Sequence, residues 1–154
     1  MTTPEAGTLR TRLSPRRRTQ WHAQGPVVAV VAVGGALGAC ARYGLSLAWP
    51  APPGGFPWAT FCTNLAGCAV MGVFMVFITE VWAAHRLVRP FFGTGVLGGF
   101  TTFSTYTADI RRLVEAGRPG TGLVYLAATP CAALAAVWLA SAAVRRVLTR
   151  RERA

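Results

Sequence analysis

The chain has 154 residues, of which 53% are hydrophobic and only 14% carry a charge. Soluble domains usually have about a quarter charged residues, so this composition excludes an ordinary soluble enzyme and favours a membrane protein. The formal net charge is +11, and all sixteen basic residues are arginine, ten of them in two clusters near the ends of the chain. Such clusters can bind nucleic acid, but beside apolar segments they more often mark the cytoplasmic face of a membrane, and we expect no nucleic-acid partner.

Four apolar segments are each long enough, at about 20 residues, to cross a hydrocarbon core as a helix. They cover about residues 27–49, 58–79, 90–110 and 121–144. The segments between them are short and rich in proline, glycine or arginine, which interrupt helices or favour the interface. We therefore predict an all-α membrane protein with a four-span domain over residues 26–145. Basic tails over 1–25 and 146–154 flank it, and the first is expected to be disordered.

The arginines also predict an orientation in the membrane. Twelve of the sixteen lie in the two tails and the second loop, and only three lie in the first and third loops. By the positive-inside rule both termini face the cytoplasm, which suits a multi-pass protein of the cell (inner) membrane. Because little of the chain lies outside the lipid, the function must lie within the spans, and transport is the favoured class.

Polar and small residues in the first two spans call for an explanation, because intramembrane polar groups are costly. Gly34, Gly35 and Gly38 have the spacing of a close helix–helix contact. Arg42 lies near the outer end of the first span, where it can reach the interface or pair with a carboxylate or with helix-end carbonyls. Asn64 in the second span either makes an interhelical hydrogen bond or donates to a passing anion.

The third span contains the sequence GVLGGFTTFSTYTAD over residues 95–109, with two adjacent glycines and five Ser or Thr residues. Gly98 and Gly99 allow the helix to unwind, and neighbouring hydroxyls can satisfy the backbone groups that a break releases. The released carbonyl oxygens can hold a cation where the break is buried in protein. Phe103 and Tyr106 share a helix face, and they either pack or turn their positive ring edges toward an anion.

In the fourth span, Tyr125 and Thr129 also share one helix face, and Pro130 follows as a possible kink. The Thr129 hydroxyl either bonds back to its own helix or lines a pore. The four cysteines all fall inside apolar segments without a paired spacing, and we expect them to be small apolar filler.

Three motifs occur in order, one per span: GGALGACARYG (34–44), TFCTNLAG (60–67) and GVLGGFTTFSTY (95–106). With four short spans, they make the chain resemble the fluoride channels called Fluc or CrcB over about residues 30–145. The resemblance implies passive, non-enzymatic export of fluoride, which lowers its toxicity in the cytoplasm. It also implies a broken third helix and an antiparallel dimer with two pores around a structural Na⁺ that is not transported.

The resemblance also implies roles for individual residues. The backbone carbonyls of Gly98 and Thr101 would hold Na⁺, and Arg42 matches a structural arginine of the family. The fluoride pore would be lined by Asn64, Phe103, Ser104, Thr105, Tyr106, Tyr125 and Thr129. Tyr106 stands where the family usually has Phe, and it adds a hydroxyl donor.

Two other functional classes and one question of assembly remain open. The chain could be a small structural or accessory membrane protein, in which the glycines and aromatic residues only pack. It could also be a small multidrug-type exporter, but that class needs an intramembrane carboxylate, and Glu80 and Asp109 lie near span ends. The antiparallel dimer could form with a second copy of this chain or with a paralogue. Because identical chains must insert in both directions, the arginine bias favours a paralogue of opposite bias.

Overall fold

In a computed structural model, the chain is described over residues 15–82 and 85–152, with side chains over 24–82 and 85–151. All regular structure in these ranges is helical, which confirms the predicted all-α class. Residues 15–82 and 85–152 form five α-helices and two stretches of wider π-helix, at Phe77–Val81 and Pro90–Leu97. The α-helices are α1 (Pro15–Ala48), α2 (Trp58–Val76), α3 (Gly98–Phe100), α4 (Phe103–Glu115) and α5 (Pro119–Glu152).

In the part of the chain that the structure describes, three helical stretches are long and apolar enough to cross a membrane: Gln24–Ala48, Trp58–Val81 and Pro119–Arg151. The third apolar segment is divided between the second π-helix, α3 and α4, so that it forms no single long helix. Helices α1 and α5 have 34 residues each. At 1.5 Å per residue each is about 51 Å long, which exceeds a hydrocarbon core of about 30 Å. Their ends therefore extend beyond the hydrocarbon core.

The N-terminal tail differs from the expectation of disorder over residues 1–25. Helix α1 begins at Pro15, so residues 15–25 are helical, while residues 1–14 lie outside the described part. Proline suits the first turn of a helix, and arginine is a good helix former, which explains this longer start. At the other end α5 continues through most of the predicted tail, to Glu152.

Helix α1 packs against the third segment through glycines. A Cβ atom on Gly34 would lie 2.6 Å from the Phe91 carbonyl oxygen, and one on Gly38 would overlap the Val96 carbonyl. From the other side, a Cβ on Gly99 would overlap the Gly35 carbonyl. The close helix contact predicted for the first span is therefore confirmed, and only glycine allows the two backbones to approach this far.

Helix α2 packs mainly against α5. A Cβ on Gly72 would lie 2.6 Å from the Val137 carbonyl oxygen, and the Ser141 hydroxyl donates to the Gly72 carbonyl at 3.2 Å. Helix α4 also contacts α5, through a core of Tyr106, Leu113 and Tyr125. The junction between α3 and α4 consequently lies against both α2 and α5.

Candidate functional site

The third segment is interrupted at two residues. Helix α3 ends at Phe100, and Thr101 (φ −77°, ψ 152°) and Thr102 (φ −147°, ψ 129°) have extended backbone before α4 begins. The glycine pair, where we expected unwinding, is helical: Gly98 has φ −66° and ψ −35°, and Gly99 lies inside α3. The extended backbone therefore lies just beyond the glycines.

The side chain of Asn64 holds the extended residues in place. Its Nδ2 donates to the Thr102 carbonyl at 3.0 Å, and its Oδ1 accepts from the Thr102 amide at 2.8 Å. In a continued helix that amide would donate to the carbonyl of Gly98. Asn64 is only 8% exposed, so its Oδ1 supplies, within the protein, the acceptor that the interruption denies to the Thr102 amide.

The Thr102 hydroxyl forms the N-cap of α4. It accepts from the Thr105 amide at 3.1 Å and lies 3.2 Å from the hydroxyls of both Thr105 and Ser104. A side-chain oxygen at this position satisfies one of the amides that a helix start leaves without a partner. We did not single out Thr102 from the sequence, because a capping threonine is recognisable only where the helix start is already known.

Arg42 reaches from α1 to the same junction. Its Nε donates to the Gly99 carbonyl at 3.3 Å, and its Nη1 lies 3.5 Å from the Thr105 hydroxyl. Of the three alternatives from the sequence, the structure therefore shows the contact with a helix-end carbonyl. The contact places a guanidinium charge beside the interruption.

A cavity of about 380 Å³ lies against the interruption, and it brings together six of the ten predicted site residues. Its walls come from α2, the α3–α4 junction and α5, and most of its surface is apolar. The lining residues are Asn64, Cys68, Gly98, Thr101, Thr102, Phe103, Tyr106, Thr129, Pro130 and Ala133. Cys68, which we expected to be filler, and Pro130, which we considered only as a kink, are thus part of the wall.

A second cavity, of about 250 Å³, lies on the side of Arg42. It is lined by Arg42, Tyr43, Ser46, Ala59, Thr60, Thr63, Thr102, Thr105 and Arg112. Two guanidinium groups and several hydroxyls make this a cationic chamber with a larger polar share than the first cavity, and the Arg112 charge is partly balanced by Asp109 at 3.2 Å. Thr102 lines both cavities, so the extended backbone lies where the cationic chamber and the apolar cavity meet.

Aromatic rings form a row that leads away from the interruption. The ring centroids of Phe103 and Tyr106 are 5.6 Å apart, those of Tyr106 and Tyr125 are 5.2 Å apart, and those of Tyr125 and Phe56 are 5.2 Å apart with the rings edge-to-face. Exposure falls from Phe103, which is 78% exposed in the single chain, to Tyr125, which is fully buried. The row therefore runs from the surface of the chain into its core.

The two hydroxyls of interest on α4 and α5 both bond to backbone carbonyls. The Thr129 hydroxyl donates to the Tyr125 carbonyl at 2.9 Å, which is the back-bond considered from the sequence, although Thr129 also lines the apolar cavity. The Tyr106 hydroxyl donates to the Leu126 carbonyl at 2.6 Å. The extra hydroxyl of Tyr106 is therefore directed at α5.

The carbonyls predicted to hold Na⁺ fit that role chemically. Gly98 is exposed on the single chain, and the Thr102 amide that a helix would direct at its carbonyl goes to Asn64 instead. Thr101 follows with extended backbone. Within the described ranges no cluster of three His, Cys, Asp or Glu side chains could bind a metal, so a cation here would depend on such backbone oxygens.

Comparison with known proteins places this chain in a family. Residues 29–141 match the family model described as CrcB-like protein, Camphor Resistance (CrcB). A Streptomyces coelicolor protein named fluoride-specific ion channel FluC 1 is 67% identical over 92% of this chain and 92% of its own length. In Streptomyces avermitilis, FluC 2 is 67% identical over 92% of this chain and 90% of its own length. FluC 3 of the same organism is 42% identical over 82% of this chain and 62% of its own length.

Proposed function

We infer that this chain, which belongs to the CrcB family, forms a channel through which fluoride leaves the cell passively, so that cytoplasmic fluoride is less toxic. The names of its relatives support this substrate. The observation that carries the proposal is the amide of Asn64, which two hydrogen bonds to Thr102 fix at the edge of a largely apolar cavity. A fixed donor in an apolar setting suits a small anion that must shed its water.

The chemistry of fluoride explains why such a donor matters. A narrow path must replace the hydration shell of the ion with groups of the protein. Asn64 Nδ2 carries two hydrogens, and the one directed at Thr102 leaves the other for an ion in the cavity. The hydroxyls of Thr101 and Thr129 donate to carbonyls of their own segments, so Asn64 is the principal donor at this point.

The remaining pore residues extend the path on either side of Asn64. The cationic chamber with Arg42 raises the local concentration of anions. Thr105 lines that chamber, and Ser104 adds a hydroxyl beside Thr102. Beyond Asn64, the row of Phe103, Tyr106 and Tyr125, together with Thr129, offers positive ring edges and an otherwise apolar wall.

Two chains in antiparallel arrangement would complete the site. Gly98 and Phe103 are both exposed on the single chain, so a second copy of the same surface can cover them. The carbonyls of Gly98 and Thr101 from each chain would then surround one Na⁺. When bound, that ion supplies a fixed positive charge that holds the two subunits in register. The Gly99 carbonyl is not part of this set, because Arg42 donates to it.

The partner in this dimer is proposed to be a paralogue. Twelve of the sixteen arginines favour one orientation, in which the chain lies in the cell membrane with both termini in the cytoplasm. A chain of opposite bias would insert the other way and supply the antiparallel half. Streptomyces avermitilis has both FluC 2 and FluC 3, so more than one such chain can occur in one organism.

The proposal is tested by fluoride efflux from liposomes, followed with a fluoride electrode. The channel is isolated from its native membrane through a tag on this chain, so that any second subunit is retained. We expect fluoride to leave the liposomes while chloride is held. Asn64→Ala should reduce efflux per assembled complex by about tenfold or more, since a lost hydrogen bond to an ion is worth about 1.5–3 kcal/mol. Phe103→Ile should also reduce it, since it removes the positive ring edge from the path.

Matched controls are Thr79→Ala and Phe92→Ile, because neither residue lines the apolar cavity. They should conduct at the rate of the unchanged protein. No efflux from the unchanged complex, or equal losses in the controls, would contradict the channel and favour a packing role. A proton-coupled exporter is not supported, because Glu80 pairs with Arg145 at 2.8 Å and Asp109 pairs with Arg112.

A further inference from the structure

Pro130 lies inside α5 and removes a backbone donor from it. In an α-helix each N–H donates to the carbonyl four residues earlier, and proline has no N–H. Pro130 therefore provides no hydrogen bond to the Leu126 carbonyl. Water is absent from the hydrocarbon core and cannot replace this donor. The Leu126 carbonyl needs a partner from another part of the protein.

Tyr106 on α4 is that partner. Its hydroxyl donates to the Leu126 carbonyl oxygen at 2.6 Å, which is short for a bond between a hydroxyl and a carbonyl. The Tyr106 side chain is only 6% exposed, and its ring packs against that of Tyr125 with centroids 5.2 Å apart. The hydroxyl is thus held in one orientation, toward α5.

Tyr106 and Pro130 both line the apolar cavity. Tyr106 contributes to the wall formed by the α3–α4 part of the chain, and Thr129, Pro130 and Ala133 contribute to the wall formed by α5. The hydrogen bond to Leu126 ties these two walls together. Any change in this bond alters the separation of the walls and hence the fit of an ion between them.

We propose that Tyr106 is a positioning residue of the ion path, whose hydroxyl replaces the donor that Pro130 withdraws from α5 and so fixes the α4 and α5 walls of the cavity. The part that concerns conduction rests on the proposed fluoride channel, whereas the coupling of Tyr106 to Pro130 does not. Because the hydroxyl proton is directed at a carbonyl, Tyr106 offers the ion its ring and not its hydroxyl. The hydroxyl is needed only as long as residue 130 is proline.

The test is a double-mutant cycle of Tyr106→Phe and Pro130→Ala in the complex isolated from its native membrane. Thermal unfolding, fluoride efflux and the ratio of fluoride to chloride efflux are measured for all four proteins. We expect Tyr106→Phe alone to lower the unfolding temperature, to reduce efflux about threefold to twentyfold, and to lower the efflux ratio. In the double variant the amide of residue 130 donates to Leu126, so all three quantities should return close to those of Pro130→Ala alone.

A control separates this coupling from a general effect of removing a proline. Pro26 lies inside α1, is exposed, and has no role at the cavity. Pro26→Ala should not rescue Tyr106→Phe. If Tyr106→Phe alone yields no folded complex, we expect the added Pro130→Ala substitution to restore folding. We do not expect Pro26→Ala to restore it.

The outcomes that overturn the proposal are distinct from failure of the channel. Additive effects on the unfolding temperature would show that Tyr106 and Pro130 are not coupled. Coupled unfolding temperatures with efflux reduced in both Tyr106→Phe and the double variant would show that the hydroxyl contacts the ion directly. If Tyr106→Phe changed the unfolding temperature but not the ratio of fluoride to chloride efflux, the bond from Tyr106 to Leu126 would have only a structural role. If the unchanged complex conducts no fluoride, the proposed function fails, but the unfolding temperatures still decide the coupling.

Discussion

At the level of single residues, Asn64 serves the backbone before it serves an ion. Its side chain pairs with the amide and the carbonyl of Thr102, as a neighbouring strand would do in a sheet. The pairing uses one acceptor and one of two amide hydrogens. The same side chain can therefore hold the interruption in place and still present a donor to the cavity. Its two tasks are separable by substitution.

Asn64→Asp should separate them at neutral pH. A carboxylate keeps an acceptor for the Thr102 amide but loses the donor to the Thr102 carbonyl, and its charge repels an anion. We expect Asn64→Asp to unfold at a higher temperature than Asn64→Ala, which leaves the Thr102 amide without its acceptor at about 1–3 kcal/mol. Efflux should nevertheless be at least as low as in Asn64→Ala. Efflux from Asn64→Asp near that of the unchanged protein would show that residue 64 does not face the ion.

At the level of elements, the position of the third segment depends on how closely it approaches α1. Gly34 and Gly38 on α1 meet the carbonyls of Phe91 and Val96, and Gly99 meets the carbonyl of Gly35. These contacts involve backbone on both sides, so no side-chain adjustment can make room for a methyl group. The interruption is thus held by α1 through glycine contacts and by α2 through Asn64.

The neighbouring glycines of α3 provide a matched pair of substitutions. A Cβ on Gly99 would overlap the Gly35 carbonyl, whereas a Cβ on Gly98 would have the Gly93 oxygen as its nearest neighbour at 3.9 Å. Since Gly98 also has helical backbone angles, alanine fits there. Within one chain we expect Gly99→Ala to lower the free energy of unfolding by about 1–3 kcal/mol and Gly98→Ala to change it little, so the two variants are compared in the separate subunit, away from the partner that is proposed to cover Gly98. Equal unfolding temperatures for the two variants would contradict the close α1 contact.

The sequence was sufficient to predict the helical class and the apolar segments, because long apolar runs have few alternatives in a membrane. It was not sufficient to locate the interruption. The glycines permit unwinding, but the extended residues are Thr101 and Thr102, because the partner that stabilises them is Asn64, on another helix. In the same way, Tyr106 and Pro130 are both visible in the sequence, but their relation through the Leu126 carbonyl depends on how α4 packs against α5.

At the level of the whole molecule, the sodium ion and the second subunit are linked proposals. One chain offers the carbonyls of Gly98 and Thr101, on a surface that is exposed in the single chain. Two oxygen atoms are few for a cation, and four from two chains make a more complete shell. Sodium should therefore bind the assembled dimer and not the separate chains, and it should stabilise the assembly by mass action.

Removal of sodium tests this link. We expect the complex to unfold at a lower temperature after exchange into choline or potassium buffer, and its unfolding temperature to rise again with added Na⁺. A concentration of Na⁺ about a hundred times its dissociation constant should add about 2.7 kcal/mol. Fluoride efflux should fall and recover in parallel. If the unfolding temperature and the efflux rate were the same in sodium, potassium and choline buffers, the complex would hold no structural sodium.

The arginine bias makes the last prediction, which concerns the identity of the second subunit. A chain with twelve of its sixteen arginines on one side should insert in a single direction, so a C-terminal reporter on this chain alone should be found only on the cytoplasmic face. The complex isolated through this chain should then contain a second, related chain of opposite bias in equal amount, as intact mass measurement will show.

Replacing Arg145, Arg146, Arg150 and Arg151 with alanine should weaken the bias and place part of the reporter outside, whereas replacing Arg111 should not. Robust efflux from the chain expressed alone, with its reporter on both faces and a single mass in the complex, would instead establish a homodimer, because only a chain that inserts both ways can pair with itself in antiparallel fashion.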